Sequence, residues 1–286
     1  MSKKIIWIAS YPKSGNTYVR SILSSLLYSK NGNFNFNLLD IIELFEQIKN
    51  FNFIKNIDKR DYKNLHKVEI LSKYWLEAQN KIINQKKPSP IYNIFKTHNS
   101  NLYVNSKTFT SDEFTSGVIY IIRDPREIAI SYAKHMGKSI DQTIKIMFDE
   151  KTSLKPSANA VTSLISTWDL HYKSWQNLKV PKLILKYEDL LDNNEDCINK
   201  LIIFLSNLLQ IKKEDLNNKK IKTIETTHID VFREHESKFG FNESSKNTNF
   251  FGTAEKNSWK KILSKDQIKE IEKKFCTTMQ ELGYNF

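Results

Sequence analysis

The sequence predicts an α/β fold built on a mainly parallel sheet, and three patterns indicate it. Four short apolar runs have the composition of strands, segments with helical spacing lie between them, and polar residues follow the end of each run. Strands that alternate with helices are typical of a parallel sheet covered by helices. Because ligands of such sheets bind beyond the carboxyl ends of the strands, these polar residues mark the expected site.

The predicted strands are apolar runs that end at charged or turn-forming residues. They cover residues 4–9, 90–95, 118–122 and 182–186. The first helix is expected from Thr17, since Val19, Ile22, Leu23 and Leu26 fall on one helical face. Further helices are predicted over residues 160–178, 195–208 and 265–282.

The helix after the third strand has a clear start signal. Asp124 suits the N-cap, Pro125 the first helical position and Glu127 the third, which is a capping-box arrangement. The ends of the four strands therefore present Lys13, His98, Arg123 and Tyr187.

Composition narrows the class of protein without deciding it. The chain has 286 residues and a net charge of +12, but its lysines are scattered rather than clustered, which argues against a nucleic-acid-binding protein. No apolar run reaches the length of a membrane helix. Cys197 and Cys276 are expected to be free thiols in a reducing compartment. These features predict a cytoplasmic protein, and the spacing of its histidines predicts no metal site.

The loop after the first strand has the features of an anion-binding site. Here Lys13 supplies a positive charge, Gly15 permits close approach of the backbone, and Ser14 and Thr17 add hydroxyl donors at a helix N-terminus. The spacing is not that of a Walker A loop, because Lys13 precedes the glycine. By itself this spacing fits either an anion site or an ordinary turn between strand and helix.

Four segments together resemble the sulfotransferases that use 3′-phosphoadenosine-5′-phosphosulfate (PAPS). Residues 11–18 (YPKSGNTY) are similar to the family's phosphosulfate-binding loop YPKSGTTW, and residues 118–131 (VIYIIRDPREIAIS) resemble its 3′-phosphate motif. Residues 96–98 (KTH) match the segment with the catalytic histidine, and residues 187–190 (YEDL) resemble a segment near adenine. The resemblance extends from about Ile5 to Tyr284 and implies a P-loop-like three-layer fold.

The resemblance implies a role for each matching residue. His98 is the expected general base, Lys13 stabilises the leaving phosphate, and Lys96 supports the sulfonate oxygens. The residues expected to bind PAPS, and its product 3′-phosphoadenosine-5′-phosphate (PAP), are Lys13, Ser14, Gly15, Asn16, Thr17, Tyr18, Arg123, Ser131, Tyr187, Thr227, Ile229, Gly252 and Lys256. The other five histidines, His66, His135, His171, His228 and His235, are expected to have no catalytic role.

One family motif is altered in this chain. The pattern RKGxxGxW corresponds only to residues 250–259 (FFGTAEKNSW), where Gly252 and Trp259 remain but the preceding Arg-Lys pair is missing. Lys256 could restore one positive charge there. Residues 234–258 are expected to form a lid over the donor.

We expect a single domain over residues 1–286, with an acceptor pocket shaped by residues 34–87 and 136–158. The acceptor is expected to be a small molecule that offers a hydroxyl or an amine, with neither nucleic acid nor an integral membrane as partner. The oligomeric state stays open. Two alternatives remain: a P-loop kinase, which predicts ATP and Mg²⁺ binding, and a basic nucleic-acid-binding protein, which predicts steep salt dependence.

Overall fold

A computed structural model describes residues 4–85, 92–241, 251–252 and 256–286 of the chain. Its main sheet contains four parallel strands in the order β2-β1-β3-β6. These strands are β1 (Ile5–Ser10), β2 (Ile94–Thr97), β3 (Thr115–Ile122) and β6 (Lys182–Lys186). A small antiparallel pair, β4 (Ser153–Leu154) and β5 (Ser163–Leu164), lies apart from them.

Helices surround the sheet. The longer helices of the described chain each contain nine or more residues. Seven of these helices are α1 (Asn16–Tyr28), α5 (Trp75–Asn84), α6 (Pro125–Met136), α7 (Ile140–Phe148), α8 (Trp168–Gln176), α10 (Asn194–Leu209) and α11 (Lys213–Thr226). Two more of this size near the carboxyl end are α12 (Ile229–Phe239) and α14 (Lys265–Glu281). Shorter ones are α2 (Ile54–Ile57), α3 (Lys59–Lys63), α4 (Val68–Leu71), α9 (Tyr187–Asp192) and α13 (Trp259–Ile262), with 3₁₀ turns at Phe36–Ile41 and Ile48–Phe51.

Strand β1 shows why the sheet separates two cores. All six of its residues are buried, and neighbouring side chains point to opposite faces. Trp7 belongs to the core on one face, together with Tyr120 and Phe95, whereas Ile8 belongs to the core on the other face. The predicted α/β fold with a parallel sheet between helical layers is therefore confirmed.

Three predicted boundaries were wrong. Strand β3 begins at Thr115 rather than at residue 118, because Thr115 already pairs with Ile5 of β1. Strand β2 begins at Ile94 rather than at residue 90, because its register pairs Ile94 with Ile6 of β1; residues 90 and 91 lie outside the described part of the chain. The helix predicted from residue 160 begins at Trp168, where the Thr167 side chain caps it. Within the residues before it, Ser163 and Leu164 form β5 and pair with β4, a contact that helical spacing does not reveal.

Part of the segment predicted to shape the acceptor pocket instead borders the sheet. The backbone N–H of Lys96 donates to Glu43 O at 2.9 Å, and that of Phe45 donates to Lys96 O at 3.0 Å. These bonds hold residues 43–47 beside the edge strand β2, so the N–H and C=O groups of Lys96 are not left open there.

Candidate active site

A cavity of about 890 Å³ opens at the carboxyl ends of the parallel strands. It brings together most of the residues predicted for donor binding and catalysis. Those on its lining are Lys13, Gly15, Asn16, Thr17, Tyr18, Lys96, His98, Arg123, Ser131, Tyr187, Ile229 and Gly252. The expected position of the site, beyond the strand ends, agrees with this placement.

The loop between β1 and α1 has an unusual backbone. Lys13 has a φ of 66° and Gly15 a φ of 98°, and both values lie in the left-handed region. The side-chain amide of Asn16 donates to Ile8 O at 3.2 Å and to Ser10 Oγ at 3.1 Å, which ties the start of α1 to the end of β1. Asn16, where the family motif has threonine, therefore supports the loop from within.

Gly15 is required by the approach of an aromatic ring. A Cβ atom at this position would lie 2.4 Å from Cδ2 of Tyr187, far inside van der Waals contact. Tyr187, at the start of α9, thus packs directly against the loop backbone. The positive φ and the close ring each favour glycine here.

Arg123, at the end of β3, contacts both the loop and this ring. Its Nη1 donates to Lys13 O at 3.1 Å, and its guanidinium lies 4.5 Å from the centre of the Tyr187 ring. Its Nη2 is 3.6 Å from a carboxylate oxygen of Glu127, one turn along α6. Arg123 Nε and Ser14 Oγ are buried and have no hydrogen-bond partner among the described residues.

The ring of His98 is held in one tautomer. Its Nδ1 is 2.8 Å from Ser10 O and, because a carbonyl only accepts, Nδ1 carries the proton and the lone pair is on Nε2. The buried His171 donates from Nε2 to His98 O at 3.1 Å and accepts from the Tyr120 hydroxyl at 2.7 Å. Burial lowers the pKa of His171 to about 3, so this histidine is neutral and fixes the His98 backbone.

A buried carboxyl supports the segment that contains His98. Glu46 accepts hydrogen bonds from the Thr97 hydroxyl and from the Asn99 amide, the latter at 2.9 Å. Burial raises the pKa of Glu46 to about 7, although both hydrogen bonds and the nearby charge of Lys96 oppose this rise. Sequence reasoning missed Glu46, because nothing in the sequence distinguishes it from Glu43, three residues earlier.

The raised pKa of Glu46 predicts a pH-dependent stability. Between about pH 4.5 and 7 the folded protein keeps a proton on Glu46 that the unfolded chain has lost, so the free energy of unfolding falls as pH rises. Glu46→Gln retains an acceptor oxygen and cannot ionise. The free energy of unfolding is measured by chemical denaturation at pH 5 and at pH 8. From pH 5 to pH 8 it should fall by about 1 kcal/mol or more beyond the fall seen in this variant. Equal losses in the two proteins would contradict the assignment.

The far wall of the cavity comes from α12 and the residues near Gly252. The Tyr18 ring packs edge-on against Phe232, which stacks on Phe251, while Arg233 Nε donates to Gly252 O at 3.0 Å. Of the segment predicted as a lid, residues 242–250 and 253–255 lie outside the described part of the chain.

Three predicted donor contacts are not on the cavity lining, and one of them, Ser14, is buried within the loop. Lys256 pairs with Asp192 and lines a small neighbouring cleft, and the buried Thr227 hydroxyl donates to Thr223 O at 2.7 Å.

Of the predicted capping box only the Asp124 cap is present, accepting from Arg126 N at 2.9 Å. Glu127 instead accepts from the Ser258 hydroxyl at 2.8 Å and from Trp259 N at 3.1 Å, so α6 and α13 are joined beside Arg123.

The two segments predicted to shape an acceptor pocket differ in position. Residues from 136–158 line the cavity at Met136, Lys138, Ile146, Thr152, Ser153, Leu154 and Lys155. The cavity lining includes no described residue of 34–85. His135 also lines the cavity, although its position in the sequence gave no reason to select it.

The sulfotransferase domain model matches residues 3–283 of this chain. The chain therefore belongs to the sulfotransferase domain family. It is 26% identical over 148 residues to a 3-beta-hydroxysteroid sulfotransferase of Cavia porcellus, a match that covers 50% of this chain and 48% of that protein. The aligned region thus spans about half the length of that curated relative.

Solved structures share the fold at low identity. Retinol dehydratase in complex with androsterone and the inactive cofactor PAP has a TM-score of 0.57 and 15% identity, over 98% of this chain and 82% of that one. Mouse sulfotransferase SULT7A1 complexed with PAP has a TM-score of 0.57 and 14% identity, over 98% and 86%.

Two further observations concern the described residues alone. Within these ranges no helix is both long and apolar enough to cross a membrane, and no group of three or more His, Cys, Asp or Glu side chains is arranged to hold a metal ion. Cys197 and Cys276 are both free cysteines, the former buried and the latter partly exposed.

Proposed function

We propose that this protein transfers a sulfonate group from PAPS to a hydroxyl, or to an amine, of a small-molecule acceptor and releases PAP. The observation that supports this most directly is the convergence of Lys13, Lys96, His98 and Arg123 on one cavity. Membership of the sulfotransferase domain family, and solved neighbours that hold PAP, support the same reaction. We place the reaction in the cytoplasm, which the two free cysteines support.

The residues of the loop fit an anionic donor. Arg123 Nε and Ser14 Oγ are buried donors without a partner among the described residues, and such groups are costly unless a ligand satisfies them. Gly15 keeps the loop free of a Cβ atom at the N-terminus of α1, where backbone N–H groups favour an anion. Residues 13–18 would hold the 5′-phosphosulfate, and Arg123 with Ser131 the 3′-phosphate.

The remaining donor contacts are assigned by position. Tyr18, Tyr187 and Ile229 line the cavity and would contact adenine, and Gly252 lies on its far wall. Thr227 and Lys256 lie off the cavity lining, so the proposed site does not depend on them.

The chemistry follows from the placement of charge and of one lone pair. PAPS supplies the sulfonate group and leaves as PAP. The acceptor oxygen forms a bond to the sulfur of PAPS while the bond from that sulfur to the phosphate oxygen breaks. His98 Nε2 accepts the proton of the acceptor hydroxyl in this step, because Nδ1 already donates to Ser10 O. Lys13 and Lys96, whose side chains share the cavity with His98, stabilise the negative charge that builds on the phosphate and sulfonate oxygens. An amine acceptor would depend less on His98.

Arg123 gives a direct test of the donor site. PAP should raise the melting temperature of the wild type, whereas ATP with Mg²⁺ or an oligonucleotide should not. Arg123→Lys loses the planar fork that matches a phosphate, and a hydrogen bond to a charged group is worth about 1.5–3 kcal/mol. Calorimetric titration should therefore show PAP affinity reduced by about tenfold to a hundredfold.

The matched control is Arg60→Lys, at an exposed arginine of α3, which should bind PAP like the wild type. The absence of any thermal shift with PAP would overturn the proposed function. A shift with ATP and Mg²⁺ in its place would favour the kinase alternative, and one with the oligonucleotide the nucleic-acid alternative.

A further inference from the structure

Most charged side chains on the cavity lining are positive. Lys13, Lys96 and Arg123 lie at the strand ends. Three more cations on the lining are Lys134 in the last turn of α6, Lys138 just past that helix, and Lys155 directly after β4. The only carboxylate on this lining, among the residues that the structure describes, is Glu127. Its oxygens already accept from the Ser258 hydroxyl and Trp259 N. The second group of cations therefore has no counter-charge on the cavity wall within the described chain.

Two of these lysines follow the proposed phosphate contact in sequence. Lys134 and His135 stand three and four residues after Ser131, so the three side chains lie on one side of α6. Lys134 is therefore roughly 4.5 Å farther along the helix axis than the proposed 3′-phosphate contact at Ser131. Lys138 follows the left-handed Gly137 that caps α6 and lies just past the end of this helix.

Stabilisation of the α6 helix dipole explains only some of these positive charges. Lys134 and His135 lie in the last turn of α6, where a positive charge stabilises the helix dipole. Lys155 follows β4 and is not at a helix end, so the dipole gives no reason for its charge. Moreover, none of Lys134, Lys138 and Lys155 forms an ion pair with a carboxylate of the described residues.

Apolar side chains also line the cavity close in sequence to these lysines. Met136 stands two residues before Lys138 and Leu154 directly before Lys155, and Ile130 and Ile146 lie on the same lining. A ligand that satisfies both features has an apolar body and an anionic group, since three like charges around an apolar space select against a cation and favour an anion.

We propose that the acceptor is an anionic amphiphile: a hydroxylated molecule with an apolar body and a carboxylate or phosphate group that Lys134, Lys138 and Lys155 bind. This inference rests on the proposed function for the position of the reacting hydroxyl, beside His98. The anionic group would then lie away from that hydroxyl, toward the end of α6.

The test compares matched acids and esters. The probes are 12-hydroxydodecanoate and 3-(4-hydroxyphenyl)propionate, each with its methyl ester, and 12-hydroxydodecyl phosphate with its dimethyl ester. Calorimetry measures their dissociation constants with and without saturating PAP, and mass spectrometry measures sulfonate gain with PAPS. Exposed ion pairs contribute about 0.2–1 kcal/mol each, so three together predict that at least one acid binds about tenfold more tightly than its ester.

Charge reversal identifies the lysines responsible. In Lys138→Glu/Lys155→Glu the ratio of acid to ester affinity should fall to one or below. The control Lys145→Glu/Lys151→Glu makes the same change in net charge at two exposed lysines off the cavity lining, and it should keep the wild-type ratio. The carboxylate and phosphate arms show which anionic group is preferred.

Equal affinity for acid and ester in every pair would overturn the proposal, as would a ratio that charge reversal leaves unchanged. Failure of the proposed function is a different result: PAP would not bind, while the ratio of acid to ester could still be measured in the PAP-free protein.

Discussion

Replacing His98 with alanine is expected to lower kcat for a hydroxyl acceptor by about 10²–10⁴, the range that a general base contributes. The physical reason is the fixed tautomer: Nδ1 donates to Ser10 O, which leaves the Nε2 lone pair to accept the acceptor's proton. Sulfonated product is measured by mass spectrometry at saturating PAPS. PAP affinity should stay within about twofold of the wild type, because the donor contacts come from other residues.

The control for this experiment is His66→Ala, since His66 does not line the cavity and should retain full activity. A loss below tenfold in His98→Ala with a hydroxyl acceptor would contradict the role as base. His98→Ala should lose less activity toward an amine acceptor than toward a hydroxyl acceptor, because the amine nitrogen already has a lone pair.

The second large effect is expected for Gly15→Ala. The new Cβ would meet Cδ2 of Tyr187 at 2.4 Å, at a residue whose φ is 98°. The left-handed backbone costs roughly 1–2 kcal/mol for a non-glycine residue, and overpacking adds about 1–3 kcal/mol. The free energy of unfolding should therefore fall by about 2–5 kcal/mol, and PAP affinity by at least about a hundredfold.

Gly283→Ala separates the two causes. Gly283 also has a positive φ, of 67°, but its Cβ would meet only the Lys186 amine at an ordinary 3.7 Å. In that variant the free energy of unfolding should fall only by the cost of the left-handed backbone, about 1–2 kcal/mol. It should bind PAP normally. In the double variant Gly15→Ala/Tyr187→Ala, denaturant unfolding should show a favourable coupling energy, because the clash is gone. Additive losses would mean that the ring contact is unimportant.

The elements with strong local signals could be predicted from sequence. Strand β1 is a continuous apolar run, α6 begins at the Asp124 N-cap, and the donor loop has a recognisable order of Lys, Ser and Gly. Each of these depends on residues close together in the chain. The rule that ligands bind at strand ends then brought Lys13 and His98 to one site.

Features that depend on distant pairing were not predictable in this way. The β4-β5 pair, and the backbone bonds of residues 43–47 to β2, join segments whose own composition does not indicate a strand. Lys155, which directly follows β4, lines the cavity together with residues of α6. The direction in which Lys256 turns depends on Asp192, which is 64 residues away in the chain.

The strand order β2-β1-β3-β6 also has a consequence for synthesis of the chain. Ile6 in the first strand pairs with Ile94 on one side and with Gly117 on the other, so β1 has no sheet partner until about 97 residues have been made and lacks its second until about 122. During that time its buried run, which includes Ile6, Trp7 and Ile8, is exposed to other apolar surfaces. Contacts so distant in sequence also slow folding. We therefore expect slow refolding from denaturant, with losses to aggregation that rise with protein concentration.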